Sequence, residues 1–202
     1  MEIELKNTGF IKVGENLSVK KYELLKAFPT SLEDDVMVVL RMFDQTNNLD
    51  FSYCFEVTFC GSLLIIPERI YYNEPSSSQL HSLTEQQQII LACLLTRHHN
   101  GYLREKNLRK VIQRSNDYNW IIPYLIRITG EYVTEILQVI KSNLDKVNRA
   151  IIKDFINDNP RFYNTIESRV ASYWDCYYRK KYPNKGDYIG FEIIRHFRSL
   201  LN

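Results

Sequence analysis

Val133-Thr134-Glu135-Ile136-Leu137-Gln138-Val139-Ile140-Lys141-Ser142-Asn143-Leu144 decides how this chain reads. Its aliphatics at 133, 136, 137, 140 and 144 follow the i, i+3, i+4, i+7, i+11 spacing that lays one apolar stripe along an α-helix. A half-buried strand would alternate every second residue, and this stretch does not. The flanks have the same texture. Upstream, Thr84 supplies a cap with Gln87 at the capping-box position, and Ile89, Ile90, Cys93 and Leu94 follow at helical spacing. His98-His99-Asn100-Gly101 reads as a turn, and 102–114 resumes as helix with Leu103, Leu108, Val111 and Ile112 roughly on one side. After a break at Ser115-Asn116-Asp117 a helix is expected over 119–128. Pro123 falls in its first turn, where a proline is tolerated. Thr129-Gly130 makes the next turn. Downstream, Val147, Ile151, Ile152, Phe155 and Ile156 repeat the spacing as far as Asp158-Asn159-Pro160. Two more helices are expected, over 164–179 and 188–201, separated by 182–186.

The front of the chain is mixed. Residues 17–28 predict a short helix stopped at Pro29. Val36-Met37-Val38-Val39-Leu40-Arg41-Met42-Phe43 is rich in β-formers and runs into a turn-forming cluster at 44–48, so it predicts a strand. Residues 51–59 alternate large apolar with small or polar side chains, Gly61 breaks the run, and 62–66 offer another strand ending at Pro67. The expectation is an antiparallel hairpin or meander, with helix for part of it as the alternative, because short apolar runs separate the two states poorly. Glu74-Pro75-Ser76-Ser77-Ser78-Gln79 reads as a linker. The expected organisation is therefore a small α+β part over 1–80 and a helical domain over 81–202.

Charge supports that division. The 202 residues carry a net charge of +2, yet through Leu83 there are 7 Lys+Arg against 12 Asp+Glu, and from Thr84 onward 19 against 12. An acidic front and a basic back permit contact between the halves, or a basic surface that faces an acidic partner. The 45% hydrophobic content, with 14 Tyr and 10 Phe, argues against disorder, and only seven glycines disfavour a turn-rich all-β sandwich. No apolar run approaches the ~20 residues of a membrane span. The acidic start Met1-Glu2-Ile3-Glu4 does not resemble a secretory signal, so the expected location is cytoplasmic, with no membrane partner. Cys54, Cys60, Cys93 and Cys176 lack metal-ligand spacing and are expected to be reduced core or near-core residues.

Gly101-Tyr102-Leu103-Arg104-Glu105 and Gly130-Glu131-Tyr132-Val133-Thr134-Glu135 both follow a turn and share an aromatic, a branched aliphatic and a Glu in the same order. A looser third copy lies at Arg169-Val170-Ala171-Ser172. At these residues the chain resembles the HEAT repeat, in particular bacterial HEAT-like proteins whose second helix opens G-Y-V-R-E-x-A-L. Lys106 and Asn107 depart from that pattern, where small residues are usual. The resemblance covers 84–145 and extends loosely to 202. It implies a mostly α fold, a short α-solenoid of antiparallel helix pairs that stack because no pair can bury its own stripe. It also makes Gly101, Arg104, Glu105 and Gly130 repeat-turn residues. Both glycines would be free to take positive φ at a helix junction, and Arg104 would bridge to a neighbouring repeat.

Candidate sites are weighed against plainer roles. His98 and His99 invite a metal or an acid–base role, but adjacent histidines do not converge on a helix and no H-E-x-x-H accompanies them, so a polar turn is the expectation. Residues 172–182, Ser-Tyr-Trp-Asp-Cys-Tyr-Tyr-Arg-Lys-Lys-Tyr, interleave aromatics with bases. That composition suits a core with a solvated end, a protein interface or a nucleic-acid surface. Lys106, Arg109 and Lys110 cluster on one helical face, with Arg114 beyond them. The expected binding residues are Lys106, Arg109, Lys110, Arg114, Tyr178, Arg179, Lys180 and Lys181. No nucleophile elbow, phosphate-binding Gly-rich loop or dinucleotide fingerprint occurs, so no catalytic residue, metal or cofactor is assigned. The reading favours a non-enzymatic scaffold that binds a protein partner. The alternative is a HEAT-like protein that binds DNA or RNA and acts on damaged bases. Oligomeric state is not specified by these residues.

Overall fold

The computed structural model describes residues 22–43 and 51–201. It is mostly helical, 66%, with nine α-helices and one two-stranded antiparallel sheet among the described residues. The helices are α1 (Glu33–Met42), α2 (Ser77–His81), α3 (Glu85–Leu95), α4 (Gly101–Gln113), α5 (Ile122–Thr129), α6 (Thr134–Lys141), α7 (Arg149–Asp158), α8 (Pro160–Tyr173) and α9 (Ile189–Leu201). The strands β1 (Cys54–Phe59) and β2 (Ser62–Pro67) precede α2.

The front part corrects two expectations. Residues 36–43, read as a strand, lie in and just beyond α1. Val36, Val39, Leu40 and Phe43 are all buried, and they stand at i, i+3, i+4 and i+7. Helical period outweighs the β-branched composition, helped by Glu33, Asp34 and Asp35 in the first turn, where acids complement the helix dipole. The linker-like segment at 74–79 holds the start of α2, closed by a capping box between Ser76 and Gln79. Of the helix expected over 17–28, a 3₁₀ turn at Leu24–Ala27 is seen. Residues 17–21 and the turn at 44–48 lie outside the described residues.

The hairpin forms as read, in register from Cys54 opposite Pro67 to Phe59 opposite Ser62. Cys60 (φ 48°) and Gly61 (φ 76°) make its two-residue turn, both left-handed, the geometry that matches strand twist. Asn159 tethers the hairpin to the helices: Thr58 N donates to its Oδ1 at 2.7 Å and its Nδ2 donates to Thr58 O at 2.7 Å. One side chain thus pairs both backbone groups of an edge position.

Two helices are buried nearly all round. In α3 every residue from Ile89 to Leu95 is buried, and α5 is buried along its whole length, so α5 and the last two turns of α3 have no solvent face. The capping box at Thr84 and Gln87 is present. Around this pair, α1 packs on α3, α3 on α4, α4 on α6, and both α6 and α7 on α9, while α5 packs on α8. One apolar cluster runs through all of it from Leu24 to Phe197, and Tyr124 Oη donates to Ala27 O at 2.8 Å across it.

Gly101 and Gly130 were expected to use positive φ. Among the described residues only Cys60 and Gly61 do so; Gly130 sits at φ −81°. Proximity explains Gly130 instead, since a Cβ there would lie 3.3 Å from Ile166 Cδ1 on α8. The cysteines also divide. All four are free and Cys93 is buried, but Cys60 and Cys176 are exposed, placed outward by the hairpin turn and by the end of α8. No helix of the described residues is long and apolar enough to cross a membrane.

Candidate functional site

Two arginine-rich regions result, one inside and one on the surface. The inner one begins with Arg127, a lone charge on the otherwise apolar helix α5. Its Nε donates to Glu68 Oε1 at 3.2 Å and its Nη2 donates to Oε2. Glu68 follows β2 and also receives Arg169 Nη2 of α8, at 3.0 Å on Oε1. Arg97, just past α3, is 0% exposed and donates to the carbonyls of Pro67 and Glu68. Its Nη2 lies 3.5 Å from Glu68 and 3.7 Å from Glu131. Glu131, after α5, takes Arg69 Nη2 at 2.8 Å and has Arg104 Nη2 at 3.5 Å. Arg104 donates in addition to the carbonyls of His98 and His99, at 2.9 and 2.8 Å.

Five guanidiniums and two carboxylates from six segments therefore meet in the interior. Burial alone would raise the Glu68 carboxyl. The hydrogen bond and charge of Arg127, with Arg169 and Arg97, outweigh burial and hold it below its ordinary value. Burial lowers Arg97, Arg104 and Arg127, opposed by the same carboxylates. The cluster contains no nucleophile and no histidine, and its members bond mainly to one another and to carbonyls, so its role is to fasten segments distant in sequence. Of its residues Arg104 was expected at a repeat turn, and Glu131 and Arg169 stand within the repeat copies with no role assigned to them. The available signal was Arg127 itself, because a charge in an all-apolar helix requires a buried partner.

His98 fits the polar-turn reading. Its ring is buried, Nε2 lies 2.9 Å from Tyr72 O, and Nδ1 accepts from Asn100 N at 3.0 Å, an arrangement that fixes a neutral ring donating through Nε2. Burial first, with His99 and Arg104 nearby, lowers its pKa. No group of three His, Cys, Asp or Glu able to hold a metal occurs among the described residues.

The surface region contains the expected binding residues in two patches. On α4, Lys106 Nζ pairs with Glu74 at 2.8 Å, Arg109 with Glu105 at 2.7 Å, and Arg114 with Asp117 at 3.0 Å and with Glu85. Only Lys110 of this run has no carboxylate partner among the described residues. The α4 face is thus largely neutralised, by Glu105 and Asp117 at local helical spacing and by Glu74 and Glu85 from other segments. After α8 the chain makes a π-helical turn, Trp174–Tyr178. A π-turn inserts an extra residue into the helical repeat. Trp174 goes into the core while Tyr177 is 65% exposed. Tyr178 Oη donates to Tyr132 O at 2.6 Å and its ring stacks on Tyr188.

Tyr132, Tyr173 and Tyr177 form a surface cluster with ring centroids 5.6, 5.8 and 6.2 Å apart. Beside it lies a concavity of about 520 Å³ lined by Asp175, Cys176, Tyr177, Arg179, Lys180 and Pro183. Arg179 pairs with Asp175 and stands over the Trp174 ring, while Lys181 stands over Tyr182. Lys180 is exposed and has no carboxylate partner among the described residues. Comparison with protein-family models, with curated proteins and with solved structures finds no match to this chain.

Proposed function

We propose that the chain is a non-enzymatic binding protein whose face after α8 docks an acidic protein partner. One observation supports this reading above the others: Tyr132, Tyr173 and Tyr177 cluster at the surface beside Arg179 and the unpaired Lys180. Tyrosine and arginine are the residues on which interface energy concentrates, and an uncompensated lysine favours an acidic counterpart. The concavity beside the cluster, about 520 Å³, is the size of a pocket that takes a whole side-chain group. The scaffold reading is a short HEAT-like solenoid. It draws support from a layer in which α4, α6 and α9 pack in succession, and from the link that Arg104 makes to Glu131 beyond the next helix.

The test is capture of partners by the full chain from nuclease-treated lysate of its native host, compared with Tyr177→Ala, Lys180→Glu and a control, Tyr53→Ala, exposed elsewhere. Expected is one protein set retained by the wild type and the control and lost with the other two. The loss at Tyr177 should be about 2 kcal/mol, roughly thirtyfold in Kd. Capture that disappears on nuclease treatment, with duplex binding that falls steeply with salt, would move the assignment to nucleic acid.

A further inference from the structure

Between the hairpin and α8 lies a second pocket, of about 220 Å³, with Phe55 and Phe162 on its walls. Three guanidiniums line it. Arg161 and Arg169 share one side of α8 with Thr165 between them, at successive i, i+4 steps. Arg127 reaches it from α5 and is 1% exposed. Glu68 takes Nε and Nη2 of Arg127, and the guanidinium stands 5.7 Å over the Phe55 ring, but Nη1, equally buried, has no hydrogen-bond partner among the described residues. An unpaired buried guanidinium N–H is costly and marks a place where an acceptor belongs.

Charge points the same way. Glu68 already spends both oxygens on Arg127, Arg169 and Arg97, and Glu56 stands exposed on β1. Arg161 has no carboxylate partner among the described residues. The pocket wall itself carries three guanidiniums, Arg127, Arg161 and Arg169, against the two carboxylates Glu56 and Glu68, an excess of one positive charge, and the Arg97 guanidinium lies 3.5 Å from Glu68 behind it. The guanidiniums come from α5 and from two separate turns of α8, so a group with several acceptor oxygens can meet more than one of them. The volume is below the ~300 Å³ at which pockets for whole organic ligands begin.

We propose that this pocket binds a phosphate group, accepting from Arg127 Nη1 and flanked by Arg161 and Arg169. The assignment does not depend on the tyrosine face. The group is free phosphate or the end of a phosphate monoester whose remainder passes out beside Arg161. Calorimetric titration of the full chain at fixed ionic strength, with inorganic phosphate, phenyl phosphate and malonate, tests it. Expected is a Kd of about 1 mM or tighter for phosphate, weakened tenfold or more in Arg161→Gln and in Arg169→Gln and unchanged in Arg109→Gln. Arg161 is exposed at the start of α8, so its variant keeps the fold, which circular dichroism checks. Binding of both phosphates assigns the free ion, and binding of phenyl phosphate alone assigns the monoester. No binding of either, equal affinity for malonate, or undiminished binding by Arg161→Gln overturns the proposal.

Discussion

The inner cluster and the surface after α8 are both rich in arginine, yet the environment reverses what each charge does. Arg97 and Arg127 are shut away from water and, Arg127 Nη1 apart, spend their donors on Glu68, Glu131 and main-chain carbonyls. Removing a partner there leaves a buried charge uncompensated, at about 3–5 kcal/mol. Arg109 and Arg179 make i, i+4 pairs in solvent, where such a pair contributes about 0.2–1 kcal/mol. Residue type therefore says little about an arginine's role here, whereas what surrounds its guanidinium says a great deal.

The largest effect should come from Glu131→Ala. It deprives Arg69 and Arg104 of their only carboxylate among the described residues and is expected to lower unfolding free energy by about 3–5 kcal/mol in urea titration. A loss under 1 kcal/mol would erase the distinction between the two regions. Packing without charge gives an intermediate reference. At Gly190 of α9 a Cβ would lie 2.7 Å from Tyr188 Cε1 and 2.8 Å from Val170 Cγ1, so Gly190→Ala should cost about 1–3 kcal/mol by the same titration.

Acid should act on the interior through His98 and Glu68. Burial keeps the His98 ring neutral in the folded chain, with its pKa lowered. The stability this contributes is complete above about pH 6.5 and drains away as pH falls through the lowered folded value. Glu68, also lowered, contributes stability that is complete above about pH 4.3 and is lost on further acidification. Urea midpoints followed against pH should thus fall in two stages, and Glu68→Gln should remove the lower one. The smallest effect belongs to the surface: Arg109→Ala should change stability by under about 1 kcal/mol, by thermal or urea unfolding.

How much of this was legible follows from range. The stripe at 133–144 and the cap at Thr84 were readable because helical period and capping act within a turn or two, and α3, α4, α6, α7 and α9 lie close to where spacing put them. Residues 36–43 had the same period in Val36, Val39, Leu40 and Phe43, but their β-branched composition hid it. The π-turn at Trp174–Tyr178, within which Trp174 is buried and Tyr177 exposed, was invisible, since a single inserted residue has no compositional mark. The inner cluster was the least legible. Its bonds join Glu68 to partners 59 and 101 residues away, and no local spacing encodes such pairs. The α4 basic run was readable as a basic face, with Glu105 and Asp117 at pairing distance in sequence, but Glu74 and Glu85 approach it from other segments that no local spacing marks.

The most direct measurement is a crossed comparison of Glu68→Gln with the double variant Tyr177→Ala, Lys180→Glu, each assayed for urea stability and for partner capture. Glu68→Gln is expected to lose several kcal/mol of stability, while the double variant unfolds within about 0.5 kcal/mol of wild type and captures nothing. A double variant that unfolds early, or that still captures the full partner set, would contradict this expectation.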